Sequence, residues 1–396
     1  MVGLPKKLEQ KLDKRIANNS LRNLPAETAS IDFSSNDYLG FSKHKELGQN
    51  ALQILSDKRV DLNGATGSRL LTGNSILYSE LEQLLCNYYN AGSALVFNSG
   101  YDANIGFFSS VPQRNDIVFY DEFVHASIRD GLKLGNANAY RFEHNNLEDL
   151  LSVIRRIAHL FTGDDTHVYL VTEAVFSMDG DAPEMNRLCE ICDQYNIRLI
   201  VDEAHTTGIF GKKENGNLYE LVLEKNVFAR IITFGKALGC HGAAILGSEL
   251  LKSYLVNFAR SLIYTTALPP HSLASIIAAY DLLQSEKGIQ KQHLLRENIT
   301  YFKELLVDLG LETYFINSYS AIQCCILGGN PVVTDIAEAL GSQGMDVRPI
   351  KYPTVPEGQE RLRFCLHSFN SKQDILAVLK LLKENIINSP SLIKRD

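Results

Sequence analysis

Short apolar runs rich in Val, Ile and Phe recur along the first two thirds of the chain. They are "SALVF" (93–97), "DIVFY" (116–120), "HVYLVT" (167–172), "IRLIVD" (197–202), "ARIITF" (229–234) and "GAAILG" (242–247). Between them lie segments whose apolar residues repeat with a helical period, such as "LYSELEQLLCNYY" and "EMNRLCEICDQYN". Strands alternating with helices predict an α/β domain built on a mostly parallel sheet. Ligands of such sheets bind beyond the carboxyl ends of the strands.

A polar stretch, "QSEKGIQKQH" (284–293), interrupts this pattern. After it "YSAIQCCIL", "VTDIAEALGSQG", "MDVRPI", "RLRFCL" and "KQDILAVLKLLKENI" read as a smaller α+β domain. The N-terminal "MVGLPKKLEQKLDKRIANN" reads as an exposed, charged helix and has no apolar centre like that of a signal peptide. The expected organisation is an N-terminal segment over 1–44, a large domain over 45–284 and a small C-terminal domain over 285–396.

Composition narrows the classes. The chain has 396 residues, 45% hydrophobic and 21% charged, with a net charge of −7 and no basic block, so no nucleic-acid partner is expected. No apolar run reaches membrane-spanning length, so a cytoplasmic protein with no membrane partner is expected. Seven cysteines, an odd number, argue against a complete disulfide framework. Cys189 and Cys192 form a CxxC, but they fall on the same helical face as Leu188 and Ile191, and no second ligand pair follows at zinc spacing. A buried helix face is expected there, and no metal.

The strand ends carry the candidate chemistry. "LIVDEAHTTG" sets Asp202 at the end of an apolar run and His205 three residues on. An acid in that place alone also reads as a helix cap. "VFNSGYDAN" follows a strand with Ser99, Gly100 and Tyr101, where a helix start would offer free N–H groups to a phosphate. "TFGKALG" places Lys236 just past another strand. No GxGxxG, Walker loop, HExxH or GxSxG is present. Together the parts fit pyridoxal phosphate (PLP), which needs an amine for a Schiff base, a carboxylate for its pyridine nitrogen and a phosphate cradle. Lys236, Asp202 and the Ser99–Tyr101 turn supply these from three strand ends. His205 is placed to bond the phenolic oxygen, and His125, in "DEFVHASIRDG", to stack over the ring.

The motifs "SSNDYLGFS", "GSRLLTGN", "FNSGYDANIG", "DEFVHASIRDG", "TEAVFSMDGD", "VDEAHTTGIFG", "TFGKALGCHGAA", "FARSLIYTTALPP" and "PTVPEGQERLRF" are specific as a set. Through them the chain resembles the α-oxoamine synthases, fold-type I PLP-dependent transferases, over nearly its whole length. The resemblance implies that Lys236 holds PLP as a Schiff base, with Asp202 on the ring nitrogen, His205 on the phenolic oxygen and His125 on the ring face. It also implies cofactor contacts from Gly100, Tyr101, Ser177 and Thr233, and substrate contacts from Arg22, Asn36, Thr354 and Arg363. Thr265 or Thr266 would reach the phosphate of a neighbouring subunit in a homodimer with shared sites. Thr233 and Ser177 also read as satisfying backbone groups, Arg22 as a solvated helix charge, and Arg361 competes with Arg363 for the substrate. The implied reaction joins L-alanine to a pimeloyl thioester, on CoA or a carrier protein, with loss of carbon dioxide, in biotin synthesis. The alternatives are a synthase taking glycine with an acetyl donor or serine with a palmitoyl donor, and an aminotransferase.

Overall fold

A computed structural model describes residues 3–22, 24, 30–162, 166–209 and 227–389. The last two residues of the "VDEAHTTGIFG" motif, Phe210 and Gly211, lie outside the described residues. The chain forms two compact units. One gathers residues 1–36, 178–181 and 293–396, and the other residues 37–177 and 182–292.

Twelve strands are described, numbered in chain order: β1 (Ile31–Asp32), β2 (Ser93–Phe97), β3 (Ile117–Asp121), β4 (Asn138–Phe142), β5 (Val168–Glu173), β6 (Arg198–Asp202), β7 (Val227–Thr233), β8 (Ala243–Gly247), β9 (Ile322–Ile326), β10 (Met345–Asp346), β11 (Arg348–Ile350) and β12 (Arg361–Cys365). Strands β2 to β8 form one seven-stranded sheet in the order β2-β8-β7-β6-β5-β3-β4. Only β8 runs against its neighbours, pairing antiparallel with both β2 and β7. All other pairs are parallel. The carboxyl ends of β2, β3, β5, β6 and β7 therefore share one edge of the sheet, which is where the sequence placed the candidate residues.

Alternate residues of the strands enter two separate cores. Val118, Ile200 and Ile231 pack with Phe107, Ile128 and Leu255 on one face. Ile117, Phe119, Leu199 and Val201 pack with Ile154, Leu188 and Ile191 on the other. Helices cover both faces, which explains why the central strands read as continuous apolar runs. Cys189 and Cys192 lie buried in the second core, within the helix Met185–Tyr195.

Strand β4 was not apparent in the sequence. Asn138, Ala139 and Arg141 of "NAYRF" are exposed, because β4 is the outermost strand and carries no apolar alternation. The polar stretch 284–293 is largely helical, within the 24-residue helix Glu286–Leu309. Its buried positions include Gly288, Gln292, Leu295, Ile299 and Phe302, a helical period whose first two members are not apolar. Gly288 is required there, since a Cβ would lie 2.2 Å from the Leu282 carbonyl oxygen. Gln292 donates to the Gly208 carbonyl at 3.0 Å. Among the described residues no helix is long and apolar enough to cross a membrane.

The other unit holds the antiparallel sheet β11-β12-β9 and the parallel pair β1-β10. The N-terminal residues thus join the C-terminal ones through β1. The N-terminal helix Lys6–Ala17 has no buried residue, as its charge pattern predicts.

Candidate active site

Lys236 follows the end of β7, and its Nζ lies 2.7 Å from Nε2 of His205. His205 is buried, three residues beyond the end of β6. Its other ring nitrogen, Nδ1, lies 2.7 Å from the hydroxyl of Tyr38. Asp202, the last residue of β6, is 4% exposed. Its carboxylate accepts from the backbone N–H of Ala204 at 3.0 Å and from Asn104 Nδ2 at 2.9 Å. Asn104 Nδ2 also donates to Ser127 Oγ at 3.0 Å, and Ser127 Oγ lies 2.7 Å from His125 Nδ1. One polar network therefore runs from Asp202 to His125, which caps the helix Ala126–Leu134.

A second carboxyl stands beside Asp202. Glu173 ends β5, pairs in register with Asp202 and is 3% exposed. Burial first, and then the charge of Asp202, push its pKa up to about 8, with Lys236 opposing. Its Oε1 accepts the backbone N–H of His125 at 2.6 Å. His125 keeps an open face, yet loss of water around the ring pushes its pKa down. Asp202 resists that shift, while Lys236 and Arg129 add to it.

Gly100 and Tyr101 open the helix Gly100–Ser110, whose N-cap Ser99 accepts from Asp102 N–H at 3.0 Å. The first N–H groups of a helix have no partner inside it and favour an anion. A Cβ at Gly100 would lie 2.8 Å from Thr233 Cγ2, so the helix start and the end of β7 adjoin. Thr233 Oγ1 is buried and has no hydrogen-bond partner among the described residues. An orphaned hydroxyl beside a helix N-terminus, close to a lysine and a buried aspartate in neighbouring turns, is a donor set that fits PLP. The exposed Tyr101 hydroxyl donates to Asp130 at 2.9 Å. Ser177 is half-buried in the turn after β5. Thr265 Oγ1 and the Thr266 carbonyl both accept from Asn98 Nδ2, at 3.1 and 2.7 Å.

The four substrate candidates lie in the other unit and form two pairs. Arg363 NH2 donates to Asn36 Oδ1 at 2.9 Å, and the exposed Arg22 donates to Thr354 Oγ1 at 3.2 Å. Arg361 is fully buried and tied to Asp179 by a short ion pair, and it also donates to the Met178 carbonyl at 3.1 Å. Alternate residues of β12 thus separate a structural arginine from one whose neighbours are Asn36 and Cys365.

Four residues of these networks escaped the sequence reading: Tyr38, Asn104, Ser127 and Glu173. Asn104 stands one helical turn after Gly100, and Ser127 two residues after His125, so spacing from the recognised residues was the available signal. Glu173, like Asp202, ends a strand, directly after the apolar run "HVYLVT", so its position was an available signal, whereas Tyr38 lies within a quoted motif but at no strand end.

The family model for aminotransferase class I and II matches residues 28–380. An 8-amino-7-oxononanoate synthase of Emericella nidulans is 40% identical over 395 residues, covering 96% of this chain and 94% of the relative. The chain belongs to the class I and II aminotransferase family, among the 8-amino-7-oxononanoate synthases. A solved member of that group, from Francisella tularensis, is 30% identical with a TM-score of 0.74, over 91% of this chain and 99% of that one. A serine palmitoyltransferase from Sphingomonas wittichii is 26% identical with a TM-score of 0.85, over 97% and 98%. A further solved chain of similar fold, 25% identical with a TM-score of 0.83 over 96% of each chain, holds PLP. The family has the fold-type I architecture described above.

Proposed function

We propose that this chain is a PLP-dependent acyltransferase that condenses L-alanine with a pimeloyl thioester to 8-amino-7-oxononanoate, releasing carbon dioxide and the free thiol carrier. One observation carries the reading: Lys236 and His205 stand in hydrogen-bond contact just past two neighbouring strands, one of which ends in the buried Asp202, in a chain 40% identical to such a synthase.

Lys236, Asp202, His205 and His125 would hold the cofactor ring, and Gly100, Tyr101, Ser177 and Thr233 its remaining polar groups. When bound, PLP supplies an aldehyde for an amine and a protonated ring that takes up the electron pair left when a bond to alanine Cα breaks. Asp202, held by Asn104 and Ala204, keeps a negative charge where the ring nitrogen must retain its proton. Lys236 Nζ, once free, accepts the alanine α-proton and later returns a proton to the same carbon. The Cα–acyl bond forms as the C–S bond breaks, and the carboxylate carbon then leaves as carbon dioxide. Arg363, with its planar fork beside Asn36, holds the alanine carboxylate until that step. Arg22 and Thr354 serve the acyl donor. Thr265 or Thr266 completes the phosphate site of a second copy in a homodimer.

The test is thiol release, measured as kcat/KM for alanine, glycine and serine, each with pimeloyl-, acetyl- and palmitoyl-CoA. Alanine with the pimeloyl donor should lead. A lead for glycine with acetyl-CoA or serine with palmitoyl-CoA would assign a sister synthase. Transfer of an amino group to a keto acid without a thioester would assign an aminotransferase. Lys236→Ala should retain some PLP non-covalently and lose nearly all turnover.

A further inference from the structure

Tyr38 belongs to "SSNDYLGFS" but has no part in the reaction as described. Its side chain is fully buried, and its hydroxyl lies 2.7 Å from His205 Nδ1. His205 Nε2 lies 2.7 Å from Lys236 Nζ, so both ring nitrogens are engaged. The two rings are 6.2 Å apart and tilted by 55°, so the hydroxyl makes the contact and the ring faces do not stack.

A neutral imidazole carries one N–H and one lone pair, which restricts the row of three groups. In one arrangement the Tyr38 O–H donates to Nδ1, and the Nε2–H donates to the lysine amine. In the other, an Nζ–H donates to Nε2, and the Nδ1–H donates to the tyrosine oxygen. A protonated amine has no lone pair, so it admits only the second. The first requires the neutral amine.

We propose that Tyr38 is a positioning residue that ties the tautomer of His205 to the proton on Lys236. When the amine is neutral, the tyrosine O–H fills Nδ1 and leaves the ring proton on Nε2. The Nε2–H is then aimed at the place Lys236 Nζ occupies, ready for an anionic oxygen when the lysine moves. When the amine gains a proton, the ring proton passes to the tyrosine side and Nε2 becomes an acceptor. This rests on the reading of Lys236 as the proton acceptor. The other titratable groups around the row are Asp202, Glu173 and His125, with Arg129 and Asp130 acting on His125, and Asp121 on Glu173.

The experiment uses the PLP-free protein with 15N-labelled histidine, His205 being assigned from the spectrum of His205→Gln. Tyr38→Phe keeps the ring and removes only the hydroxyl, and chemical denaturation checks that it folds. In wild type, raising the pH until the amine is neutral should move the His205 proton from Nδ1 to Nε2. In Tyr38→Phe that switch should vanish. In the loaded enzyme, kcat should fall on the order of tenfold, the scale for groups that orient a functional histidine, while KM for L-alanine stays within about twofold. A Tyr38→Phe spectrum that switches as in wild type would overturn the proposal. Because the spectra need no substrate, they decide this point even if the thiol-release assay assigns another reaction.

Discussion

Glu173 Oε1 accepts the backbone N–H of His125 at 2.6 Å, so a buried carboxyl fixes the loop that carries a candidate ring-stacking residue. The contact ties the end of β5 to the N-cap of the helix Ala126–Leu134. It places two carboxyls, Glu173 and Asp202, side by side in adjacent strands. Such pairs resist double ionisation, and burial makes Glu173 the one held as an acid.

Glu173 gives the PLP-free protein a defined pH dependence. Its pKa rises from 4.5 to about 8 on folding, so the folded state binds the extra proton between those values. The stability it contributes is present in full below pH 4.5 and is lost as pH rises through 8. The slope is at most about 1.4 kcal/mol per pH unit for one proton. Glu173→Gln keeps an acceptor for His125 and removes the titration. Denaturant midpoints measured from pH 5 to pH 8 should fall more steeply for wild type than for the variant.

Thr233→Val separates a cofactor contact from a structural one. The hydroxyl is buried without a partner, so removing it at nearly constant shape should raise the stability of the PLP-free protein by about 1 kcal/mol. The same change should weaken PLP binding. A stability loss with unchanged PLP affinity would mean that the hydroxyl serves the protein backbone.

The two arginines of β12 should fail in different ways. Arg361→Ala leaves Asp179 without its partner in a buried site and should cost about 3–5 kcal/mol of stability. Arg363→Lys should fold normally but lose the planar fork, raising KM for L-alanine on the order of tenfold. Thermal melting and steady-state kinetics on the same preparations distinguish the two.

The proposed homodimer is checked by mixing chains. A Lys236→Ala chain combined with a Thr265→Ala, Thr266→Ala chain should give mixed dimers in which one site carries both defects and the other none. Activity should therefore recover on mixing. Sedimentation of a fully active monomer would remove the shared-site reading.

Much of this was legible in the chain because the sheet is covered on both faces. Six of its seven strands announce themselves as apolar runs, and their ends point to Asp202, Thr233 and Lys236. What was not legible depended on position in space. Strand β4 is polar because it is the outermost strand, and the helix Glu286–Leu309 hides its period behind Gly288 and Gln292. Tyr38 and His205 are 167 residues apart in sequence, and nothing local to either announces the bond between them. The burial of Arg361 beside Asp179, which reaches β12 from a distant turn, was likewise invisible in the sequence.

The polar character of β4 has a consequence for the protein in concentrated solution. A flat apolar strand in that position would present unpaired backbone groups to any passing extended chain and would seed polymers. Here the strand is five residues long, and Arg141 is exposed and lies 3.6 Å from Glu122. A charge pair at the rim makes docking of a foreign strand costly in water lost from ions. The large sheet therefore stops growing at this side, and replacing Arg141 with a β-branched apolar residue should make the protein prone to fibrous aggregation.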